Sequence, residues 1–172
     1  FSGSKHPGDT LADDFDKIVK DCRTLRCTTL RSGMLPMSCM ESGEAAMKFI
    51  KDCEHYALRL KEFGINYYYH AHHMEMAFYN GERLMDTMRD NTKCLGFELD
   101  SHWMWRGGVD PVEYIKTFKG RIHLLHLKDY RIGKVDFASY PVPDEKKINF
   151  MFNAVVQFAE VGEGTLDMPS II

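Results

Sequence analysis

Three predicted β-strands of this chain end in residues that bind metal ions or transfer protons in many proteins. The strand ends read YHAHHME, ELDSHW and LHLKD. From His70 to Asp100 the chain advances 30 residues, and from Asp100 to His126 it advances 26, about the length of one strand-and-helix unit in a parallel α/β protein. Because parallel strands point the same way, we expect these three residues to meet at the C-terminal rim of a parallel barrel.

Helix and strand signals alternate along the chain. Apolar residues at three- and four-residue steps predict helices over residues 11–25, 42–64, 82–90 and 110–120. Short β-rich runs predict strands over residues 27–30, 65–70, 95–100 and 122–128. Ser42, Asn80 and Asp110 have the side chains expected of helix caps. This order predicts an α/β fold with a parallel sheet and outer helices.

A period of two along each strand assigns side chains to one face of the sheet or the other. It places Glu98 on the face of Asp100, one layer deeper, where a carboxylate needs a partner. It places Lys128 on the face of His126 and turns His123 toward the helix layer.

The pattern loosens after Asp129. Residues 130–149 contain two prolines and a mixed charge cluster without a sustained period, which predicts a long loop. Long loops at the C-terminal rim of a barrel usually shape the substrate pocket. Residues 154–158 predict a short strand, and Asp167 or Ser170 would cap a final helix.

Composition bounds the classes of function. The chain has 172 residues, of which 44% are hydrophobic and 27% are charged, so we predict a single globular domain over residues 1–172. A formal charge of −3 with interspersed signs offers no basic surface for nucleic acid, and no apolar run approaches the roughly 20 residues of a membrane helix. Five cysteines without CxxC spacing, all inside predicted elements, predict reduced core thiols and a cytoplasmic compartment. The expected partner is a small molecule or another protein subunit.

Four phrases carry a family resemblance in their order and spacing: YHAHHME, ELDSHW followed by RGGVDP, RIHLLHLKDY, and EVGEGTLD. With them the chain resembles the sugar phosphate isomerase/epimerase superfamily, the xylose isomerase-like TIM barrels that include inosose dehydratases. The resemblance covers about residues 11–172. It implies a (β/α)8 fold and a divalent metal ion, commonly manganese, cobalt or magnesium, held at successive strand ends.

The resemblance also predicts that the barrel is partial. A complete barrel takes about 250 residues, whereas this chain has signals for four or five of the eight strands. We expect the early strands and the last strand to be missing, and the family's final carboxylate ligand to lie beyond Ile172. The chain is then an internal portion of a longer protein, or another chain completes it.

The resemblance assigns candidate metal ligands. Asp100 and His126 match the family's motifs, and a carboxylate with an imidazole suits divalent ions of this kind. The third ligand is open between His70, His72 and Glu75, with His70 favoured. His72 or Glu75 would then be the catalytic acid or base.

Further candidates surround these ligands. Lys128 shares a strand face with His126, where its ammonium group would reach a substrate hydroxyl or stabilise an enolate, so we count it as catalytic. His102, Trp103 and Trp105 follow Asp100 and are predicted to bind substrate, with a tryptophan stacked on a sugar ring.

These residues predict proton abstraction next to a carbonyl. The metal would bind two adjacent oxygens of a sugar or keto-sugar, and a base from residues 70–75 would take the proton. Returning the proton elsewhere makes the enzyme an isomerase or epimerase. Loss of a β-substituent would instead make it a dehydratase or lyase, acting on a keto-sugar, an inosose or an oxidised glycoside. A third interpretation is a non-catalytic barrel fragment or subunit.

Overall fold

The computed structural model describes residues 9–136, 146 and 153–172, and within them helices alternate with strands. The helices with described bounds are α1 (Phe15–Thr24), α2 (Gly43–Lys61), α3 (Leu84–Asp90), α4 (Ser101–Arg106), α5 (Pro111–Lys116) and α6 (Met168–Ile171). The strands are β1 (Thr29–Gly33), β2 (Asn66–His70), β3 (Phe78–Tyr79), β4 (Glu82–Arg83), β5 (Gly96–Asp100), β6 (Ile122–His126), β7 (Asp129–Ile132) and β8 (Val156–Ala159). Every helix and strand predicted for these residues has a counterpart, with shifted ends.

Four parallel strands form the main sheet in the order β1-β2-β5-β6. The register places His70 of β2 beside Glu98 of β5, and Asp100 of β5 beside His126 of β6. All four strands therefore end at the same edge of the sheet, with the helices between them in sequence. This arrangement confirms the predicted partial barrel of parallel strands.

Helix α2 shows how the sequence builds the outer layer. The Ser42 hydroxyl accepts a hydrogen bond from the Ala45 amide at 3.1 Å and so caps the helix, and Gly64 ends it with a φ of 72°. One stripe of the helix is buried against the sheet, namely Ala46, Ile50, Cys53, Ala57 and Leu60. Tyr69 of β2 joins this core, with its ring edge-on to Phe49 at 5.8 Å. The apolar core therefore lies between sheet and helices.

The predicted capping role of Asn80 is wrong. Strands β3 and β4 form an antiparallel hairpin, and Asn80 and Gly81 make its turn with φ angles of 53° and 90°. Asn-Gly is the dipeptide that a tight hairpin turn of this kind favours, because both positions need a positive φ. Helix α3 begins later, after Arg83, without a side-chain cap.

A β-bulge corrects the predicted orientation of His123. Phe97 pairs with Ile122 and Glu98 pairs with Leu124, so His123 is an extra residue in β6. The extra residue switches the side chains that precede it in β6 to the opposite face of the sheet from the one predicted. Ile122 packs against the core, whereas the His123 ring lies edge-on to Tyr68 at 5.9 Å. His123 therefore does not face the helix layer.

The region after Asp129 also differs from its prediction. Strands β7 and β8 form an antiparallel ribbon, so the predicted loop over residues 130–149 begins as a strand. Residues 137–145 and 147–152 lie outside the described residues, and the loop stays a prediction there. Asp167 caps α6 by accepting a hydrogen bond from the Ser170 amide at 3.3 Å.

Asp129 links the start of β7 to the turn after β8 through hydrogen bonds. Its carboxylate is fully buried and accepts four backbone hydrogen bonds, from the amides of Tyr130 (2.8 Å), Gly162 (3.1 Å), Gly164 (3.0 Å) and Leu166 (3.2 Å). The turn in the phrase EVGEGTLD therefore folds around one side chain that lies more than thirty residues earlier in the chain.

Two further observations concern the whole described chain. The five cysteines are unpaired, but the predicted core position holds only for Cys22 and Cys53 and is wrong for Cys27, which is exposed. Among the described helices, we find none with both the length and the apolar composition that a membrane crossing requires.

Candidate metal centre

The structure brings the three predicted strand-end residues together. His70, Asp100 and His126 each offer one ligand atom, and these atoms lie within 4.8 Å of one another. Asp100 Oδ2 is central, at 3.0 Å from His126 Nδ1 and 3.9 Å from His70 Nε2. Of the three candidates for the third ligand, His70, His72 and Glu75, His70 is the one that lies in this cluster.

Backbone geometry fixes each of these side chains. His70 pairs with Gly33, where a Cβ atom would lie 3.2 Å from the His70 ring, so glycine leaves room for the imidazole. The other carboxylate oxygen of Asp100 accepts a hydrogen bond from the Trp103 amide at 2.9 Å and caps α4. The positions of His70 and Asp100 are therefore set by the fold itself.

Ser101 ties the ends of β5 and β6 together. Its buried hydroxyl accepts a hydrogen bond from the Lys128 amide and donates one to the Lys128 carbonyl, both at 2.8 Å. This bridge holds the segment after His126 against Asp100.

Burial shapes the electrostatics of the cluster. Burial, assisted by the nearby His72 and Arg31, lowers the pKa of His70 to about 3, so its imidazole is neutral at physiological pH. Burial raises the pKa of Asp100, although the Trp103 amide and His126 oppose the shift. Neutral imidazole is the form that binds metal ions.

A buried oxygen atom of Asp100 that has no hydrogen bond indicates whether a divalent ion fits the cluster. Asp100 Oδ2 is buried and has no hydrogen bond, because the His126 ring is close but not aligned with it. A buried carboxylate oxygen without a hydrogen bond is rare and requires an explanation. One carboxylate and two imidazoles around such an atom suit a divalent transition metal, so the residues fit the predicted ion.

His72 and Glu75 follow the candidate ligand His70 in the chain and lie close to it. The His72 ring is edge-on to that of His70, with centroids 4.7 Å apart, and burial lowers its pKa. Glu75 is fully buried, and its oxygens accept hydrogen bonds from the Tyr69 hydroxyl and from the His72 amide. Both Glu75 oxygens are thus engaged, which favours a positioning role for Glu75 over the predicted acid or base role.

Lys128 and Trp103 form the next layer. The Lys128 ammonium lies 4.7 Å from the centre of the Trp103 ring and 4.2 Å from that of Phe158. Its charge acts on Asp100 and opposes the rise in the pKa of that carboxyl group. Sequence reasoning missed Phe158, because nothing in the pattern of β8 relates it to Lys128, thirty residues upstream.

His102 and Trp105 are farther from the ligand atoms. His102 is fully buried between the rings of Trp103, Tyr130 and Phe158, and neither of its ring nitrogens has a hydrogen bond. Burial, followed by the charge of Lys128, lowers its pKa to about 4. Trp105 stacks on Tyr130 at 4.0 Å. Their predicted substrate-binding roles remain predictions, and their surroundings favour packing.

Glu98 has the partners that the sequence left unidentified. Its Oε2 atom lies 3.1 Å from Arg31 Nη1 and 3.2 Å from His70 Nδ1. Arg31 escaped prediction because the first strand was expected to end at residue 30, whereas β1 continues to Gly33.

The fold and the site define a class: part of a (β/α)8 barrel in which residues at the C-terminal ends of adjacent strands could hold a metal ion. Neither a protein-family model nor a curated protein matches this sequence. Solved structures do match, and they have the xylose isomerase-like barrel fold that the resemblance predicted.

One match is a sugar phosphate isomerase/epimerase from Parabacteroides distasonis, with 20% identity and a TM-score of 0.62, over 99% of this chain and 65% of that one. A xylose isomerase domain protein from Planctomyces limnophilus matches with 15% identity and a TM-score of 0.61, over 92% of this chain and 51% of that one. The probable 3-DHS dehydratase AsbF of Bacillus anthracis, involved in petrobactin synthesis, matches with 16% identity and a TM-score of 0.60, over 96% and 62%. The chain therefore spans 51% to 65% of the length of these structures.

Proposed function

We propose that this chain carries the metal site of a divalent-metal-dependent sugar isomerase or epimerase. The observation that supports the proposal best is the buried Asp100 Oδ2, which has no hydrogen bond and faces two imidazoles at the strand ends of a parallel barrel. His70, Asp100 and His126 would hold the ion. When bound, the ion supplies the Lewis acidity that polarises two neighbouring oxygens of a sugar or keto-sugar.

His72 is the proposed base. Its ring lies between those of His70 and Trp103, at 4.7 Å and 5.5 Å, and its buried Nδ1 has no hydrogen bond. Because burial lowers its pKa, the imidazole is unprotonated at neutral pH and can accept the proton next to the carbonyl. The Glu75 carboxylate holds the His72 backbone in place through its hydrogen bond.

Lys128 and Trp103 are the proposed substrate contacts. The Lys128 ammonium, next to the Trp103 ring, would donate hydrogen bonds to a substrate hydroxyl or to the enolate oxygen. The Trp103 indole, half-buried, would stack on the sugar ring. His102 and Trp105 support this wall through the rings that they contact.

A site of two imidazoles and one carboxylate also predicts an order of affinity among the candidate metals. Imidazole favours the later transition metals, whereas magnesium prefers oxygen ligands. We therefore propose cobalt over manganese, and manganese over magnesium, as the order of affinity. Dissociation constants from calorimetric titration of the metal-free chain will check this order, and a preference for magnesium would contradict it.

Calorimetry and proton exchange test the function itself. Wild-type protein should bind one equivalent of Co²⁺, and His126→Ala should weaken binding about 100-fold or more, at least as much as loss of a ligand's hydrogen-bond partner costs. His55→Ala, which removes an exposed imidazole from α2, should leave binding unchanged. Absence of Co²⁺ binding by the wild type would overturn the metal site.

The second readout distinguishes the reactions. Keto-sugars incubated with the Co²⁺-loaded protein in D2O should exchange the proton next to the carbonyl, as followed by NMR. Exchange with isomerised or epimerised product supports the proposal, whereas an unsaturated product would assign a dehydratase or lyase. Metal binding without exchange on any sugar would favour a non-catalytic barrel piece. The proposal includes a cytoplasmic location. The molecular mass of the protein in solution, alone or with a partner subunit, would show whether it forms a homo-oligomer.

A further inference from the structure

A charged layer lies directly beneath the three metal-ligand residues. It consists of Arg31 on β1, Glu98 on β5 and the Nδ1 side of His70 on β2, three neighbouring strands. Because β2 and β5 are parallel and in register, His70 lies opposite Glu98. The imidazole of His70 thus spans two layers, with Nδ1 toward Glu98 and Nε2 toward Asp100.

We propose that Glu98 is a positioning residue, which accepts the Nδ1 proton of His70 and thereby presents the unprotonated Nε2 to the metal. The inference rests on the proposed metal site and assigns Glu98 a role in it. A neutral imidazole carries its proton on either nitrogen, and only the bare nitrogen can bind a metal ion. An acceptor at Nδ1 therefore selects the productive tautomer.

The contacts of both atoms support this role. His70 Nδ1 and Glu98 Oε2 are buried and 3.2 Å apart, and neither has a hydrogen bond in the present orientation of the ring. The Glu98 oxygen is therefore within hydrogen-bond distance of a ring nitrogen that has no other hydrogen-bond partner. Arg31 Nη1, 3.1 Å from the same oxygen, pairs the carboxylate with a cation.

A simpler role for Glu98 would be to pair with Arg31 and stabilise the sheet. Arg31 is 49% exposed, and ion pairs with such exposure contribute little to stability. The two roles differ in one measurable property. A purely structural carboxylate would leave the tautomer of His70 unchanged when it is removed.

NMR of the metal-free full chain with ¹⁵N-labelled histidine reads the tautomer directly. The His70 signals are assigned by their loss in His70→Gln, at a fixed pH of about 7.5, where the unperturbed imidazole is mostly neutral. We expect the proton on Nδ1 in the wild type. Glu98→Met, which removes the acceptor, should yield a mixture of tautomers or the Nε2 form. Glu98→Gln, which keeps an oxygen at this place, should preserve the Nδ1 form.

Calorimetry adds a second readout. Glu98→Met should weaken Co²⁺ binding about 10- to 100-fold, the usual loss when the partner of a metal-binding histidine is removed, and Glu98→Gln should weaken it less. Glu113→Gln, at an exposed pair on α5, is the matched control and should change neither readout. Unchanged tautomer and unchanged affinity in Glu98→Met would overturn the proposal.

The wild-type spectrum keeps the proposal testable even if Glu98→Met does not fold. A proton on Nε2 of His70 in metal-free wild type would overturn the role of Glu98, whether or not Co²⁺ binds. Conversely, failure of Co²⁺ binding with the proton on Nδ1 would overturn the metal site and leave the Glu98 contact in place. The two failures are therefore distinguishable.

Discussion

Asp100 and Asp129 are both fully buried, yet their carboxylates have opposite surroundings. Asp129 accepts four backbone hydrogen bonds, whereas Asp100 accepts one, from the Trp103 amide, and turns its other oxygen toward two imidazoles. Burial alone would raise the pKa of either group. In Asp129 the four amides outweigh burial and lower the pKa, whereas in Asp100 burial prevails and the pKa is raised.

The difference separates a carboxylate that holds the fold together from one that is available to a ligand. The chain satisfies Asp129 completely, so nothing further is needed there. It leaves one oxygen of Asp100 without a hydrogen bond beside potential metal ligands. A buried polar atom is costly when unsatisfied, so this arrangement is stable only if something else compensates the cost.

The largest expected effect is on stability, in Asp129→Asn. The amide keeps one acceptor oxygen, but its NH2 group faces backbone N–H groups that lose their acceptor. The free energy of unfolding should fall by about 3 kcal/mol, since two backbone donors lose their acceptor at a buried carboxylate. Urea unfolding followed by circular dichroism measures the loss. A change below about 1 kcal/mol would contradict the assigned role of Asp129.

The same substitution at Asp100 should act on metal binding instead. Asp100→Asn should weaken Co²⁺ binding about 100-fold, or about 2.8 kcal/mol. Its remaining oxygen still caps α4, so the free energy of unfolding without metal should change by less than about 1 kcal/mol. Calorimetry and urea unfolding of the two aspartate variants, side by side, provide the test. A stability loss at Asp100 as large as at Asp129 would refute the distinction.

The two regions should also respond at different pH in the metal-free protein. Burial lowers the pKa of His70 to about 3 and that of His102 to about 4, from an ordinary value of 6.5. Below pH 6.5 the unfolded chain binds protons that the folded site excludes, so stability falls as the pH drops from 6.5 toward 4. Asp129, whose pKa lies below its ordinary 3.8, loses its contribution only below that pH.

Unfolding free energies at a series of pH values check this order. His102→Phe, which keeps an aromatic ring in the same aromatic surroundings, should flatten the curve between pH 6.5 and about 4. His55→Ala on the exposed face of α2 should leave the slope in place. An unchanged slope in His102→Phe would show that burial of this imidazole does not govern the acid response.

The smallest expected effect concerns the space beside His70. Gly33→Ala would place a methyl group 3.2 Å from the His70 ring, closer than an ordinary contact. The imidazole should shift by a few tenths of an ångström, and Co²⁺ affinity should fall about tenfold, because a metal site tolerates little displacement of its ligands. Unchanged affinity would show that the ring adjusts freely.

The meeting of the site residues could be predicted because the ends of the strands could be predicted. His70, Asp100 and His126 each follow a β-rich run at a regular spacing, and parallel strands bring such positions to one rim. The fold class followed from the same alternation. These inferences depend only on chain direction and element length, which local sequence encodes.

Features that depend on distant contacts were not predictable. The bulge at His123 inserts one residue without a sequence signal, and it reverses the face of the residues before it. Arg31 follows a short apolar run and precedes a glycine and a proline, so its polar neighbourhood indicated a loop, whereas pairing with β2 extends the strand. The role of Asp129 depends on a turn that only the fold brings near.

The hydroxyl of Ser101 has a consequence for how a metal ion would enter and leave. It joins the start of α4 to the backbone of Lys128, so two of the three proposed ligands, Asp100 and His126, are held in place without an ion. Loading should then need little rearrangement of the chain, and a chelator should strip the ion without unfolding the domain. Such a protein would exchange one divalent ion for another while its shape persists.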